Sequence, residues 1–245
     1  MSTSVVPAKP LGHKAYGSIP HLPTSRIGPG DHHVSPGQAR ICLEQARNRH
    51  DRILVSEKLD GSNCAVARIG DDLVPLVRAG YPAASSPFAQ HHLFAEWAAD
   101  HAGRFAAVLH DGERLVGEWL VQAHGTRYAL PHEPFVVFDL IDGSVRLPYD
   151  AFCERIGTRF VLPRLIHDGG PCGLDAVHAA LADRSHHGAL DPIEGAVWRV
   201  ERRGVVDFLA KWVRPDKTDG LYLPNVSGQP PVWNVDPATI ARTHS

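Results

Sequence analysis

A lysine closes the apolar stretch Ile53-Leu54-Val55 and stands in the run Glu57-Lys58-Leu59-Asp60-Gly61-Ser62-Asn63. A lysine that ends a hydrophobic strand and meets a small, Gly-containing turn can have its amine desolvated, which favours the neutral, nucleophilic form. In water the amine has a pKa of about 10.4 and is a cation at neutral pH. The position therefore suits covalent catalysis by Lys58. The plainer reading is a strand end followed by a turn, with Lys58 in solvent. A K-x-D-G run arises by chance in a chain of this length on the order of a few times in a hundred, so the other residues must decide.

Five further runs follow in order. Leu76-Val77-Arg78-Ala79-Gly80 closes an alternating segment with an arginine. Leu115-Val116-Gly117-Glu118-Trp119 is apolar and carries a carboxylate after glycine. Phe135-Val136-Val137-Phe138-Asp139-Leu140 reads as a buried strand with one aspartate. Ile193-Glu194-Gly195-Ala196-Val197 and Phe208-Leu209-Ala210-Lys211-Trp212-Val213-Arg214 complete the set. With the Lys58 run they resemble motifs I, Ia, III, IIIa, IV and V of the covalent nucleotidyltransferases, the superfamily of DNA ligases, RNA ligases and mRNA capping enzymes. The resemblance extends from Lys14 to Leu223, and within the superfamily it favours the phage RNA ligase 2 and RNA-editing ligase branch. Asn63, five positions after Lys58, matches an asparagine that this branch needs for strand sealing, and the run from Lys211 to Lys217 looks like compact bacterial members. Two departures stand out. Asp60 occupies a place where some members of the branch carry another residue, and motif V usually offers two alternating lysines whereas here Val213 follows Lys211. Either Arg214 or Lys217 is a candidate for the missing charge.

The resemblance implies that Lys58 attacks the α-phosphate of ATP to give a lysyl-AMP, which passes to a 5′-phosphate end and is sealed to a 3′-hydroxyl. It implies catalytic roles for Lys58, Lys211 and Asn63. Nucleotide-binding roles fall to Asp60, Gly61, Arg78, Glu118, Phe138, Lys211 and Lys217. Glu57 joins them if a turn brings it to the adenine edge; in a continuing strand it would point to the opposite face. Glu118 and Glu194 are the implied holders of magnesium or manganese, and magnesium suits one or two carboxylates while keeping water and phosphate ligands. Arg78 suits a bidentate phosphate or ribose contact. Phe138 is implied to stack on the purine, although a phenylalanine in an apolar strand also suits a core.

The chain has 245 residues, 43% of them hydrophobic, and a net charge of −2. Its length and composition suit one soluble globular domain. No apolar run approaches the ~18 residues of a membrane span and no secretory signal opens the chain, so a cytoplasmic protein with no membrane partner is expected. The four cysteines are scattered, which argues against a zinc site or a disulfide framework. The near-neutral charge is unlike a general nucleic-acid binder, but six basic residues against three acids between Arg199 and Lys217 form a local stripe that can hold phosphates. Arg202 and Arg203 in it fit a solvated hairpin turn equally well.

These groups need strand ends to hold them. Periodicity predicts strands over 53–57, 63–69, 73–78, 114–122, 135–141, 161–165, 193–200 and 205–213. It predicts helices from Ser35-Pro36 to about His50, from Ser86-Pro87 to about Ala102, over 149–156 and over 174–183. Strands punctuated irregularly by helices give an α+β class with mainly antiparallel sheets, which agrees with the adenylyltransferase domain that the resemblance implies. Residues 1–12 read as a flexible arm, 13–223 as the nucleotidyltransferase domain and 224–245 as a proline-containing tail too short for an OB barrel. The expected partners are RNA, or DNA, ends or nicks, with a partner protein or an undemanding substrate making up for the absent barrel. The alternatives are a DNA nick ligase, which Asp60 favours, and a non-catalytic domain that binds a nucleotide and a nucleic-acid end. GTP-using capping fits a chain without a C-terminal barrel less well.

Overall fold

The computed structural model describes residues 8–241, and nine strands in it form two antiparallel sheets. The first sheet holds β1 (Asp51–Lys58), β7 (Leu165–Gly169), β8 (Gly195–Arg202) and β9 (Val205–Val213), ordered β7-β1-β8-β9. The second holds β2 (Ser62–Ile69), β3 (Asp72–Val77), β4 (Glu113–Trp119), β5 (Phe135–Asp142) and β6 (Val145–Arg146), ordered β3-β2-β4-β5-β6. Chain-adjacent β1 and β2 lie in different sheets, so the Lys58-to-Ser62 connection passes from one sheet to the other. That crossing puts the lysine run at the seam.

Each sheet buries its outer face under helices. Leu115, Trp119, Phe135 and Val137 pack with Phe94 and Trp97 of α2 (Ala89–Asp100), Phe105 of α3 (Ala102–Ala106) and Phe152 of α4 (Tyr149–Ile156). Ile53, Val55, Trp198 and Trp212 pack with Ile41 and Cys42 of α1 (Pro36–Leu43) and Val177 of α5 (Leu174–Leu181). Between the sheets lies a smaller apolar seam of Ala65, Ala67, Leu76, Val116 and Leu209. Small side chains there leave room for a cavity.

The eight principal strands and α4 lie close to their expected ranges, with β7 displaced. Its pairing with β1 begins at Leu165, and Val161 makes only an isolated bridge to Val136. The short β6 is additional. α1 stops at Leu43 rather than near His50, because Asp51 accepts hydrogen bonds from the Arg47 backbone and guanidinium and holds the following residues in a turn. α2 begins at Ala89, after a short 3₁₀ turn at Ala83–Ser85. The β8–β9 hairpin turns at Arg203-Gly204, both with positive φ, a two-residue geometry matched to strand twist.

The ends of the chain add to the domain. Leu11 packs against the seam, while residues 1–7 of the expected flexible arm lie outside the described residues. Residues 224–241 of the expected tail pack onto the domain. After α6 (Pro224–Ser227), Asn234 bonds Leu120 O and the Tyr128 N–H, Trp233 and Val235 pack on the core, and buried Ile240 of α7 (Pro237–Ala241) joins the α2 cluster. Among the described residues no barrel follows β9, and no helix is long and apolar enough to cross a membrane.

The basic stripe is not a free phosphate-binding face. Arg199 is buried against Asp139 and Glu201, Arg202 pairs with Asp51, and Arg214 pairs with Asp216. Strand pleating sends Arg199 and Arg202 to different partners, and Arg214 lies beyond the end of β9.

Candidate active site

A cavity of about 570 Å³ opens between the sheets. Leu54, Ser56 and Lys58 line it, while Ile53 and Val55 on the alternate face enter the core, as a pleated strand requires. β1 therefore delivers Lys58 to the cavity from a buried central strand. Lys58 Nζ lies 2.6 Å from Glu194 Oε2.

Glu194 immediately precedes β8. At Gly195 the backbone of β9 approaches so closely that a Cβ would lie 1.9 Å from Trp212 O, so only glycine lets the carboxylate enter at this point. Gly117 serves Glu118 in the same way. The β4–β5 register shifts between Val116 and Gly117, and a Cβ there would strike Val136 O at 2.6 Å. Such a bulge re-aims the next side chain, and Glu118 Oε1 accepts the Gly61 N–H at 3.0 Å.

Lys217 comes from the segment after β9, four residues beyond the end of the strand. Its side chain is buried, with Nζ 2.5 Å from Asp60 Oδ2 and 3.1 Å from Glu194 Oε1. Asp60 is fixed by the Gly125 N–H at 2.8 Å, and its own N–H donates to Tyr128 Oη at 3.1 Å. Of the two candidates for the second motif V charge, Lys217 reaches the lysine cluster and Arg214 does not. Lys211, on β9, lines the same cavity 3.9 Å from Asp31.

The charge state of Lys58 differs from the expectation of a neutral amine. Burial lowers its pKa, but Glu194, Glu118 and Asp60 outweigh burial and hold it above the ordinary value. The resting lysine is thus a paired cation. Burial also pushes Glu118 up to about 7, whereas the two lysines hold Glu194 below the usual carboxylate range despite its burial. Burial and the Lys58 charge lower Lys211.

The remaining expected residues sit around this cluster. Asn63 lines the cavity, and its Oδ1 is buried without a hydrogen-bond partner among the described residues. The Arg78 guanidinium donates to Gly17 O and Ser18 Oγ, both at 3.2 Å. Phe138 is the half-buried member of an otherwise buried stretch of β5 and faces the cavity, edge-on to Tyr16 at 5.4 Å. Glu57 borders the cavity, but β1 continues through Lys58 and its carboxylate is separate from the lysine cluster. Burial raises it to about 7, with Arg164 opposing and Asp183 adding to the rise.

Tyr16, Arg199, His91 and His124 also line the cavity and carry no signal among the six runs. His91 bonds Ser62 Oγ and Ser86 Oγ at 2.7 and 2.6 Å, and His124 bonds Gln90 at 3.1 Å. Burial holds both rings neutral, with pKa values near 4. Of the four, only Tyr16 lies in a segment marked by its composition, the Gly- and Pro-rich stretch from Lys14 to Asp31.

A sequence model described as RNA ligase matches residues 51–213, from the first residue of β1 to the last of β9. The chain belongs to the RNA ligase family. Among solved structures the chain is similar to a Naegleria gruberi RNA ligase mutant with AMP and Mn, at a TM-score of 0.51 and 13% identity over 82% of this chain and 57% of that one. An apo mutant of the Naegleria enzyme gives 0.50 and 15%, over 89% and 60%. A putative ATP-dependent DNA ligase from Aquifex aeolicus gives 0.50 and 15%, over 94% and 58%. The chain thus spans less than two thirds of the length of each. Identities this low establish a shared fold, that of the RNA and DNA ligase adenylyltransferase domain. No curated protein sequence matches the chain.

Proposed function

We propose that this chain is an ATP-dependent polynucleotide ligase of RNA ends, acting through a lysyl-AMP at Lys58. One observation carries the reading: a single cavity joins a strand-end lysine and its carboxylate partner, Lys211 and Arg78, and an aromatic wall at Phe138. Membership of the RNA ligase family and the fold shared with ligases support it.

In the first step the Lys58 amine attacks the α-phosphorus of ATP. A nitrogen–phosphorus bond forms as the bond to the bridging oxygen of the β-phosphate breaks, and pyrophosphate leaves. The amine must give up a proton, and Glu194, at 2.6 Å, is within hydrogen-bond reach. Lys211 and Arg78 supply positive charge where the phosphates gather, which is the main lever available for phosphoryl transfer. Lys217 neutralises Asp60 and part of Glu194, so that the carboxylates do not repel the incoming nucleotide. Phe138 and Tyr16 suit the purine. AMP then moves to a 5′-phosphate, and a 3′-hydroxyl displaces it as the strand is sealed. Asn63, with its unpartnered Oδ1, suits the alignment of that end.

The donor set fits a divalent cation of the magnesium type. Among the described residues no group of three histidine, cysteine or acidic side chains forms a metal cage, but magnesium needs only one or two carboxylates beside water and phosphate oxygens. Glu118 and Glu194 would hold it. When bound, it would neutralise phosphate charge.

Sealing assays test the reading. Purified protein with ATP and magnesium should join a 3′-OH/5′-phosphate nick in an RNA duplex faster than the same nick in DNA. A strong DNA preference would move the assignment to a DNA nick ligase. Nucleotide binding without AMP transfer or sealing would leave a non-catalytic end-binding domain.

A further inference from the structure

A second cavity, of about 410 Å³, lies beyond Tyr16, which together with Gly17 lines both cavities. Its other walls are His13, Arg114, Ile141, Gly143, Ser144 and Arg146. Among the described residues no carboxylate lines it. Arg114 is buried, and its hydrogen bonds go to carbonyl oxygens, Nε to Ala15 O at 2.8 Å and Nη1 to Gly143 O at 2.7 Å. Among the described residues it makes no ion pair. A buried guanidinium without a carboxylate is costly, and the half-buried Arg146 stands beside it. The Arg146 guanidinium lies over the Tyr16 ring at 5.2 Å and donates through Nε to Asp139 at 3.0 Å.

Asp139 is already heavily used. It also accepts from Tyr16 Oη and Arg199 Nη1, and Arg199 bonds Glu201 in turn. Arg146 and Arg199 thus share the two carboxylates, Asp139 and Glu201, and the charge of Arg114 is left over at the cavity. Burial and the neighbouring Arg146 push Arg114 below its ordinary value, and Asp139 only partly opposes them. A lone positive charge in a walled cavity with two planar donors fits a phosphate oxygen pair.

We propose that the Arg114–Arg146 cavity is a phosphate subsite that grips the backbone of the polynucleotide strand. The inference rests on the ligase reading and adds where the strand is held. The lysines that suit the nucleotide phosphates, Lys58 and Lys211, belong to the first cavity, whereas Tyr16 meets the second from the aromatic wall that suits the purine. A backbone phosphate of the strand therefore matches this subsite better than the triphosphate of a bound nucleotide. A short chain with a net charge of −2 would in this way hold RNA through a built contact instead of a basic face.

The test uses a nicked RNA duplex with a fluorescent label and measures anisotropy over a salt series, with AMP transfer from ATP measured in parallel. Ser144→Asp adds a carboxylate from an exposed turn, and Arg114→Gln removes the buried cation. Because Arg114 also ties down Ala15 and Gly143, the exposed-turn variant keeps the test decisive if Arg114→Gln fails to fold. Wild type that takes AMP and binds the duplex establishes the reading on which the subsite rests. Ser144→Asp should then bind the duplex about tenfold more weakly, with a salt slope reduced by about one, while the ATP concentration for half-maximal AMP transfer changes little. Unchanged duplex affinity and salt slope would overturn the subsite. A raised ATP requirement with unchanged RNA binding would overturn its assignment to the strand. Wild type that neither labels nor binds would fail the ligase reading itself.

Discussion

Two buried clusters of opposite charges bridge the sheets, and they are built to different ends. In the Asp139 cluster, Asp139 of β5 meets Arg199 of β8 at 2.6 Å, Arg199 meets Glu201 at 2.8 Å, and Glu201 accepts the Tyr149 N–H at 2.6 Å. Its strong donors come from the strands and helix being joined. In the Lys58 cluster, Glu194 is shared by two lysines, Lys217 arrives from an irregular segment, and Asn63 Oδ1 nearby has no partner. The first cluster is a fastener. The second holds charges that an incoming nucleotide can rearrange, since phosphates compete for the lysines and a divalent cation for the carboxylates. Similar ion pairs thus carry structure where they are saturated and chemistry where a partner can be exchanged.

Substitutions should separate the two clusters. The largest effect is expected for Glu194→Ala, which strands Lys58 and leaves Lys217 with Asp60 alone, and should slow AMP transfer by about a thousandfold, with the unfolding midpoint in urea changing far less. A stability loss matching the activity loss would erase the distinction. Arg199→Met removes the fastener's central cation and should destabilise the fold by about 3 kcal/mol, read by urea denaturation. A fully stable Arg199→Met protein would show that the sheets are held by apolar packing alone. Lys217→Met should lower AMP transfer about tenfold, about 1.4 kcal/mol, and Lys217→Arg should restore part of it; no effect would return the second motif V charge to another residue.

A smaller effect concerns pH. His187 is fully buried, accepts the Arg164 N–H at 3.2 Å and bonds His132 at 2.8 Å, and burial lowers its pKa to about 3. A depressed histidine binds fewer protons folded than unfolded. Its stabilising contribution is therefore present above about pH 6.5 and is lost as pH falls from there toward 3. Each such group contributes at most about 1.4 kcal/mol per pH unit. His187→Gln should flatten the fall in denaturation free energy between pH 6.5 and 5, leaving the part due to other depressed histidines such as His21, His91 and His124. An unchanged slope would remove His187 from that account.

The sequence made the strand-borne half of the site legible. Lys58, Glu118, Phe138, Glu194 and Lys211 sit on or beside strands whose alternation can be read, and glycine marks the two carboxylates because backbone or ring must pass close by. Tyr16 and Lys217 come from irregular segments, where no period says which way a side chain points. The charge of Lys58 is not legible in the sequence for a related reason. Its burial shows in the local run, but the carboxylates that reverse the shift stand on β4 and before β8, far along the chain. The segment after Leu223 reads as a tail because prolines interrupt every pattern there, yet Trp233, Val235 and Ile240 find the core through tertiary packing.

The most direct measurement is the site of covalent nucleotide attachment. The protein is incubated with ATP and magnesium, its intact mass is recorded, and the adduct is mapped by peptide fragmentation before and after added pyrophosphate. The expected result is one AMP on Lys58, removed by pyrophosphate and absent from Lys58→Ala. An adduct on another residue, or AMP transfer that persists in Lys58→Ala, would contradict the assignment of the nucleophile.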